Sequence, residues 1–126
     1  MSTRSVQWRK VRSSLMTCAL SLPEAYEDHP WGETVIKVNK KIFLFLGVDD
    51  GSHPPGFGVK LPESRDQALA VPGAQPSGYG LGKAGWVSLQ LEEKLPPINV
   101  LHDWVEESYR AVAPKKLVKV LDEGIG

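Results

Sequence analysis

The sequence predicts an α+β protein, an antiparallel sheet with helices packed on one side, in the order α-β-β-β-α-β-β-α-α. Three features carry that expectation. Apolar residues recur at steps of three and four near both ends of the chain, strand-like runs occupy the middle, and the links between those runs are of hairpin length with no regular strand–helix–strand alternation. With 126 residues, 41% of them apolar and 24% charged, and a mean hydropathy of −0.22, the chain suits one domain over residues 1–126 and is too apolar for disorder.

From Trp8 the stripe of Val11, Leu15, Cys18, Ala19 and Leu22 predicts a first helix from about Ser5 to about Leu20. Its other face carries Arg4, Arg9, Lys10 and Arg12, with no acid before Glu24. The segment Leu22 to Glu33 reverses the sign, holding four acids, no lysine or arginine and three helix breakers, so an ordered, turn-rich loop is expected. Thr34 to Val38 and Ile42 to Val48 are β-rich and flank Asn39-Lys40-Lys41, where an asparagine that tolerates positive φ predicts a tight hairpin. Asp49 to Gly56 reads as an exposed loop and Phe57 to Leu61 as a short strand. Pro62 and Glu63 open a brief helix to Ala70, with the acid placed where the helix dipole favours it. Residues 72–85 are dense in glycine and proline, with a short strand expected at Ser77 to Tyr79. Trp86 to Leu91 alternates, with Val87, Leu89 and Leu91 on one face and Trp86, Ser88 and Gln90 on the other. Leu101, Trp104, Val105, Ser108 and Val112 mark a helix from Asn99, read as its N-cap, to Val112. Pro114 ends it and opens a last helix with Leu117, Val120 and Leu121 inward.

Catalytic and cofactor signatures do not assemble. Gly80, Gly82 and Gly85 match the letters G-x-G-x-x-G, but an alternating strand follows where a dinucleotide fold requires a helix. A phosphate-binding P-loop fails there too, because Ser77 and Ala84 stand where the motif requires glycine and a hydroxyl. His29, His53 and His102 are far apart with no paired metal-ligand spacing, and Asp49, Asp50 and His53 read as a solvated turn. The single cysteine, Cys18, excludes an internal disulfide and falls on the apolar stripe, where burial raises a thiol's pKa and blunts its nucleophilicity. Glu92-Glu93 and Glu106-Glu107 are adjacent pairs that point apart and read as solvated faces. A non-enzymatic protein without a cofactor or metal is expected.

Charge distribution is more informative than total charge. Lys+Arg 15 balance Asp+Glu 15, which gives no global field for nucleic acid or membrane. The basic residues nonetheless cluster at Arg4 to Arg12, at Lys37, Lys40 and Lys41, and at Arg110 to Lys119. Two such clusters on one face make a phosphate-tracking patch, whereas each one alone reads as a solvated face. Trp86 sits on the polar side of its strand, where it is either a stacking platform for a base or the floor beneath a covering helix.

Several strings, in order, resemble the MmcQ/YjbR-like family of small bacterial proteins. They are Cys18-Ala-Leu-Ser-Leu-Pro-Glu-Ala-Tyr-Glu-Asp-His-Pro-Trp-Gly32, Ile36-Lys-Val-Asn-Lys-Lys-Ile-Phe43, Gly58-Val-Lys-Leu-Pro62, Gly85-Trp-Val87, and Glu107-Ser-Tyr-Arg110 followed by Pro-Lys-Lys at 114 to 116. The resemblance spans nearly the whole chain. It implies a fold similar to the type III secretion chaperones and DNA binding through a double-wing arrangement of hairpins. On this chain one wing is the hairpin with Lys37, Lys40 and Lys41, and the other the Gly80–Lys83 link, with Lys60 and Trp86 as further contacts. Lys60 precedes Pro62 and the second helix, where it either helps hold an anion or snorkels at a strand edge. The alternative role is a non-catalytic protein-interaction or adaptor module. The longest apolar run, Ile42 to Leu46, is far below the roughly 18 residues of a membrane span. Ser13, Ser14 and Thr17 interrupt any leader-like apolar core. The expected protein is cytoplasmic, binds DNA or a protein partner rather than a membrane, and is a monomer rather than a homodimer.

Overall fold

The computed structural model describes residues 3–47, 56–77, 84–91 and 95–123, with residues 3–7 and 31 described by their backbone alone. Helix α1 spans Thr3–Leu20. It is followed by strand β1 (Tyr26–Asp28), a 3-10 turn at Pro30–Gly32, β2 (Thr34–Val38), β3 (Lys41–Gly47) and β4 (Gly56–Lys60). Then come α2 (Arg65–Leu69), β5 (Gln75–Pro76), β6 (Trp86–Gln90), α3 (Ile98–Val112) and α4 (Lys115–Asp122). The six strands form one sheet in the order β1-β2-β3-β4-β6-β5, and every neighbouring pair is antiparallel. This is the predicted α+β architecture with one strand more than expected. Tyr26–Asp28, read as part of a loop, pairs with Val35 to Lys37 as an edge strand, which its three polar-leaning residues could not announce by periodicity.

The β2–β3 connection is the predicted hairpin. Val38 faces Lys41, and the two loop residues Asn39 and Lys40 have φ of 51° and 67°, the pair of positive values that a type I′ turn requires. Two register shifts follow along this pair, so that β3 carries Phe43 and Leu46 as extra residues relative to β2. The bulge breaks strict alternation and lets Phe43 and Leu44, consecutive in sequence, both be fully buried. Phe43 meets Tyr109 of α3 edge-on at a ring separation of 5.2 Å. At the start of β4, a Cβ on Gly56 would lie 2.8 Å from the Leu89 carbonyl oxygen of β6, so only glycine allows that close approach.

The core joins α1 (Trp8, Leu15, Ala19), the inner sheet face (Ile36, Leu44, Val59, Val87, Leu89) and α3 (Leu101, Trp104, Val105, Tyr109). Ser108 fastens α3 to the sheet by donating to the Phe43 carbonyl and accepting the backbone N–H of Lys60. Smaller differences from expectation lie at element ends. The strand expected at Ser77 to Tyr79 begins earlier, at Gln75, and Tyr79 lies outside the described residues. Helix α3 starts at Ile98 with Pro97 rather than Asn99 at its cap. Helix α2 is a single turn shorter than read, because the residues at 62–64 form a turn that α3 holds from outside.

Candidate nucleic-acid interface

Strand register gathers the candidate lysines. Lys37 lies one residue from the end of β2 and Lys41 begins β3. Because Leu44 pairs with Val59, antiparallel β4 runs back toward that same end and finishes there with Lys60. Lys60 in turn faces Trp86, the first residue of β6. Lys37, Lys40, Lys41 and Lys60 therefore stand at one end of the sheet, together with the start of β6. Lys83 and the glycines Gly80 and Gly82 of the second expected wing lie outside the described residues.

These lysines differ in availability. Lys40 and Lys41 are exposed at the hairpin tip. Lys37 is half-buried, and its Nζ is 2.7 Å from Asp28 Oδ2 on the neighbouring edge strand. The hydrogen bond and charge of that pair hold the Asp28 carboxyl below the ordinary carboxylate range and push the Lys37 ammonium above the ordinary lysine value. Lys60 is half-buried at its strand end.

Trp86 corrects the expectation of an aromatic contact. Only 7% of it is exposed, and its ring meets Phe45 edge-on at 5.2 Å. The strand's alternation placed Trp86 on the polar-looking face correctly, since it shares that face with Ser88. However, Phe45 reaches across Gly58, which pairs with both Phe45 and Ser88 and has no side chain to intervene. Trp86 is a packing residue of the outer sheet face, not a stacking platform.

Three arginines of the other basic clusters have partners of their own. Arg12 donates from Nε to the Leu46 carbonyl, at the end of β3 opposite the hairpin. Arg9 stacks its guanidinium 4.7 Å from the Trp8 ring centroid. Arg110 pairs with Asp122 at 2.6 Å and more loosely with Glu106. Glu107, read as a solvated acid, instead accepts the backbone N–H of Glu63 and Ser64 and the Ser64 hydroxyl.

Sequence reading missed a second feature. A groove of about 870 Å³ runs beside α1, lined by Arg9, Lys10, Ser13, Ser14, Thr17, Cys18, Ser21 and by His102 of α3. Ser14 Oγ and His102 Nε2 share a 2.8 Å hydrogen bond across it. The signal was the spacing of Lys10, Ser14, Thr17 and Ser21 on one helical face, but nothing local pairs that face with His102. Burial pushes the Cys18 thiol up, with the nearby Glu106 and Asp103 carboxylates adding to the shift.

Architecture and site together define a small α+β protein that covers one face of an antiparallel sheet with helices and presents lysine-bearing strand ends beside them. The chain belongs to the YjbR family, whose family model matches residues 20–111. No curated protein matches it. Among solved structures it is similar to a crystal structure of a protein from Pseudomonas syringae, with 21% sequence identity and a TM-score of 0.59, covering 79% of this chain and 96% of that one. That likeness is one of fold. No helix among the described residues is long and apolar enough to cross a membrane.

Proposed function

We propose that the protein binds DNA weakly and mostly through its phosphates, using the lysines at the hairpin end of the sheet. The observation that carries this reading is the register that brings Lys37, Lys40, Lys41 and Lys60 to one end of the sheet. Lys40 and Lys41 stand outermost, without an ion pair among the described residues, at a turn whose two loop residues hold positive φ values. Lysines of this kind are point charges that position a protein on a phosphate backbone without reading bases. With the formal net charge at zero, attraction has to come from this local patch, so affinity is modest. On this reading the chain is a non-catalytic cytoplasmic binding module, and the Gly80–Lys83 link is the second wing.

The test is a fluorescence-anisotropy titration of labelled duplex DNA at low and moderate salt, repeated with Lys40→Glu and Lys41→Glu combined. Two to four neutralised phosphates give a slope of log K against log salt of about −2 to −4. The expected result is saturable binding with such a slope, abolished by the double substitution. Binding that is absent at low salt, or that survives the double substitution unchanged, overturns the reading.

A further inference from the structure

The groove beside α1 leads beyond DNA binding and does not depend on it. Two hydrogen bonds fix how α1 and α3 lie together. Ser14 meets His102, and the carbonyl of Pro23, just past the end of α1, accepts from the Tyr109 hydroxyl at 2.7 Å. Both contacts advance in the same direction along the two helices, so α1 and α3 run parallel. Lys10 therefore lies one turn before the Ser14–His102 contact on α1, and Glu106 one turn after it on α3.

This arrangement makes the surface electrically bipolar along its length. The α1 side, from Arg9 and Lys10 onward, has no acid before Glu24. The α3 side presents Asp103, which is exposed, and Glu106. Leu20, 38% exposed, follows on the same stripe of α1 as Arg9 and Ser13, as the spacings of seven and eleven residues require. A face that is basic at one end of the groove, at Arg9 and Lys10, and is flanked near Cys18 by the Asp103 and Glu106 carboxylates of α3 is complementary to itself after a half-turn rotation.

We infer that this α1–α3 face binds a second copy of the chain, an isologous pair in which the Lys10 end of each copy meets the Glu106 side of the other across the Ser14–His102 contact. A two-fold pairing uses each contact twice, and it sets two exposed Leu20 side chains on the covered stripe. An acidic peptide or an independent anion answers only the Lys10 end and offers nothing to Asp103 or to Glu106, whose contact with Arg110 is loose at 4.0 Å. The pair forms in place of the monomer expected from sequence, which contains no information on which helix faces adjoin.

The experiment is sedimentation equilibrium of the full chain over a range of protein concentrations, for the wild type, Lys10→Glu, Glu106→Lys and the combined variant, with circular dichroism as a check on folding. The wild type is expected to show a concentration-dependent monomer–dimer equilibrium. Each single charge reversal raises the dissociation constant at least about tenfold, the size expected for like charges brought together at an interface, and the combined variant returns it toward the wild-type value. Because the combined variant carries both changes, its recovery separates lost pairing from lost folding. A wild type that stays monomeric at every concentration overturns the inference, as do single reversals without effect or a combined variant weaker than either single one. The hairpin lysines are untouched in all four proteins, so DNA binding succeeds or fails separately.

Discussion

The carboxylate of Glu107 holds the N-cap residue of a helix 43 residues away in sequence, accepting the Ser64 hydroxyl at 2.7 Å and the Ser64 backbone N–H at 3.0 Å. Its Oε2 also accepts the Glu63 N–H at 3.0 Å. A single side chain of α3 thus satisfies the backbone donors of the turn ahead of α2, much as the glutamate of a capping box reaches back to its N-cap N–H from within its own helix. Glu107→Ala is expected to cost about 1–2 kcal/mol in stability, as the loss of a cap with charged hydrogen bonds does. Glu107→Gln should lose less, since the amide oxygen still accepts. Urea unfolding of the three proteins measures both, and equal stability of all three would show that the turn at 62–64 stands without the cap.

Ser108 is buried and bridges two backbone groups from different strands, the Phe43 carbonyl and the Lys60 N–H. Ser108→Ala leaves both without that partner in a dry environment, where an unsatisfied polar group costs about 1–3 kcal/mol. The substitution should therefore lower the urea midpoint while leaving the slope of the unfolding transition unchanged. Faster amide exchange at Lys60 is the local signature, because the loss acts first on the end of β4.

Legibility in the sequence followed the range of the interactions involved. Strands Thr34–Val38 and Trp86–Gln90 and the Asn39 hairpin were readable, because alternation and turn chemistry are local signals. Strand β1 was not, since it consists of Tyr26, Glu27 and Asp28 and is defined only by its pairing with β2. The bulges at Phe43 and Leu46 belong to register rather than composition. Each lysine of the candidate surface was found individually, yet their meeting at one sheet end depends on how β4 lies against β3. Trp86 shows the same limit from the other direction: alternation assigns a side chain to a face but does not say what covers that face.

Cys18 lies on the apolar stripe, half-buried, and its thiol is shifted upward first by burial and then by the Glu106 and Asp103 carboxylates. The thiolate is the reactive form, so a raised pKa leaves less of it at neutral pH. Alkylation by iodoacetamide at mildly alkaline pH is expected to be several-fold slower in the folded chain than in urea. Glu106→Gln should recover part of the rate by removing one like charge. A folded protein that reacts as fast as the unfolded chain would contradict both the burial and the charge contribution.

The Asp28–Lys37 pair links pH to the DNA-binding reading. Its 2.7 Å contact lowers the Asp28 pKa from an ordinary 3.8, chiefly through the hydrogen bond from Lys37, and raises the Lys37 pKa from an ordinary 10.5 through the same bond. For Asp28 the stabilisation is present above its unfolded value and is lost as pH falls through the lower folded value. For Lys37 it is present below its unfolded value and is lost as pH rises through the higher folded one. The pair is therefore intact at neutral pH, where it occupies a lysine of the candidate surface. NMR titration should place the Asp28 midpoint below the ordinary carboxylate value in the wild type and return it upward in Lys37→Met. Asp28→Asn removes the competing carboxylate and leaves Lys37 free for phosphate, so DNA affinity at low salt should rise severalfold and its salt slope should steepen by about one. If Asp28→Asn leaves affinity and slope unchanged, Lys37 lies outside the contact surface, and binding rests on Lys40, Lys41 and Lys60.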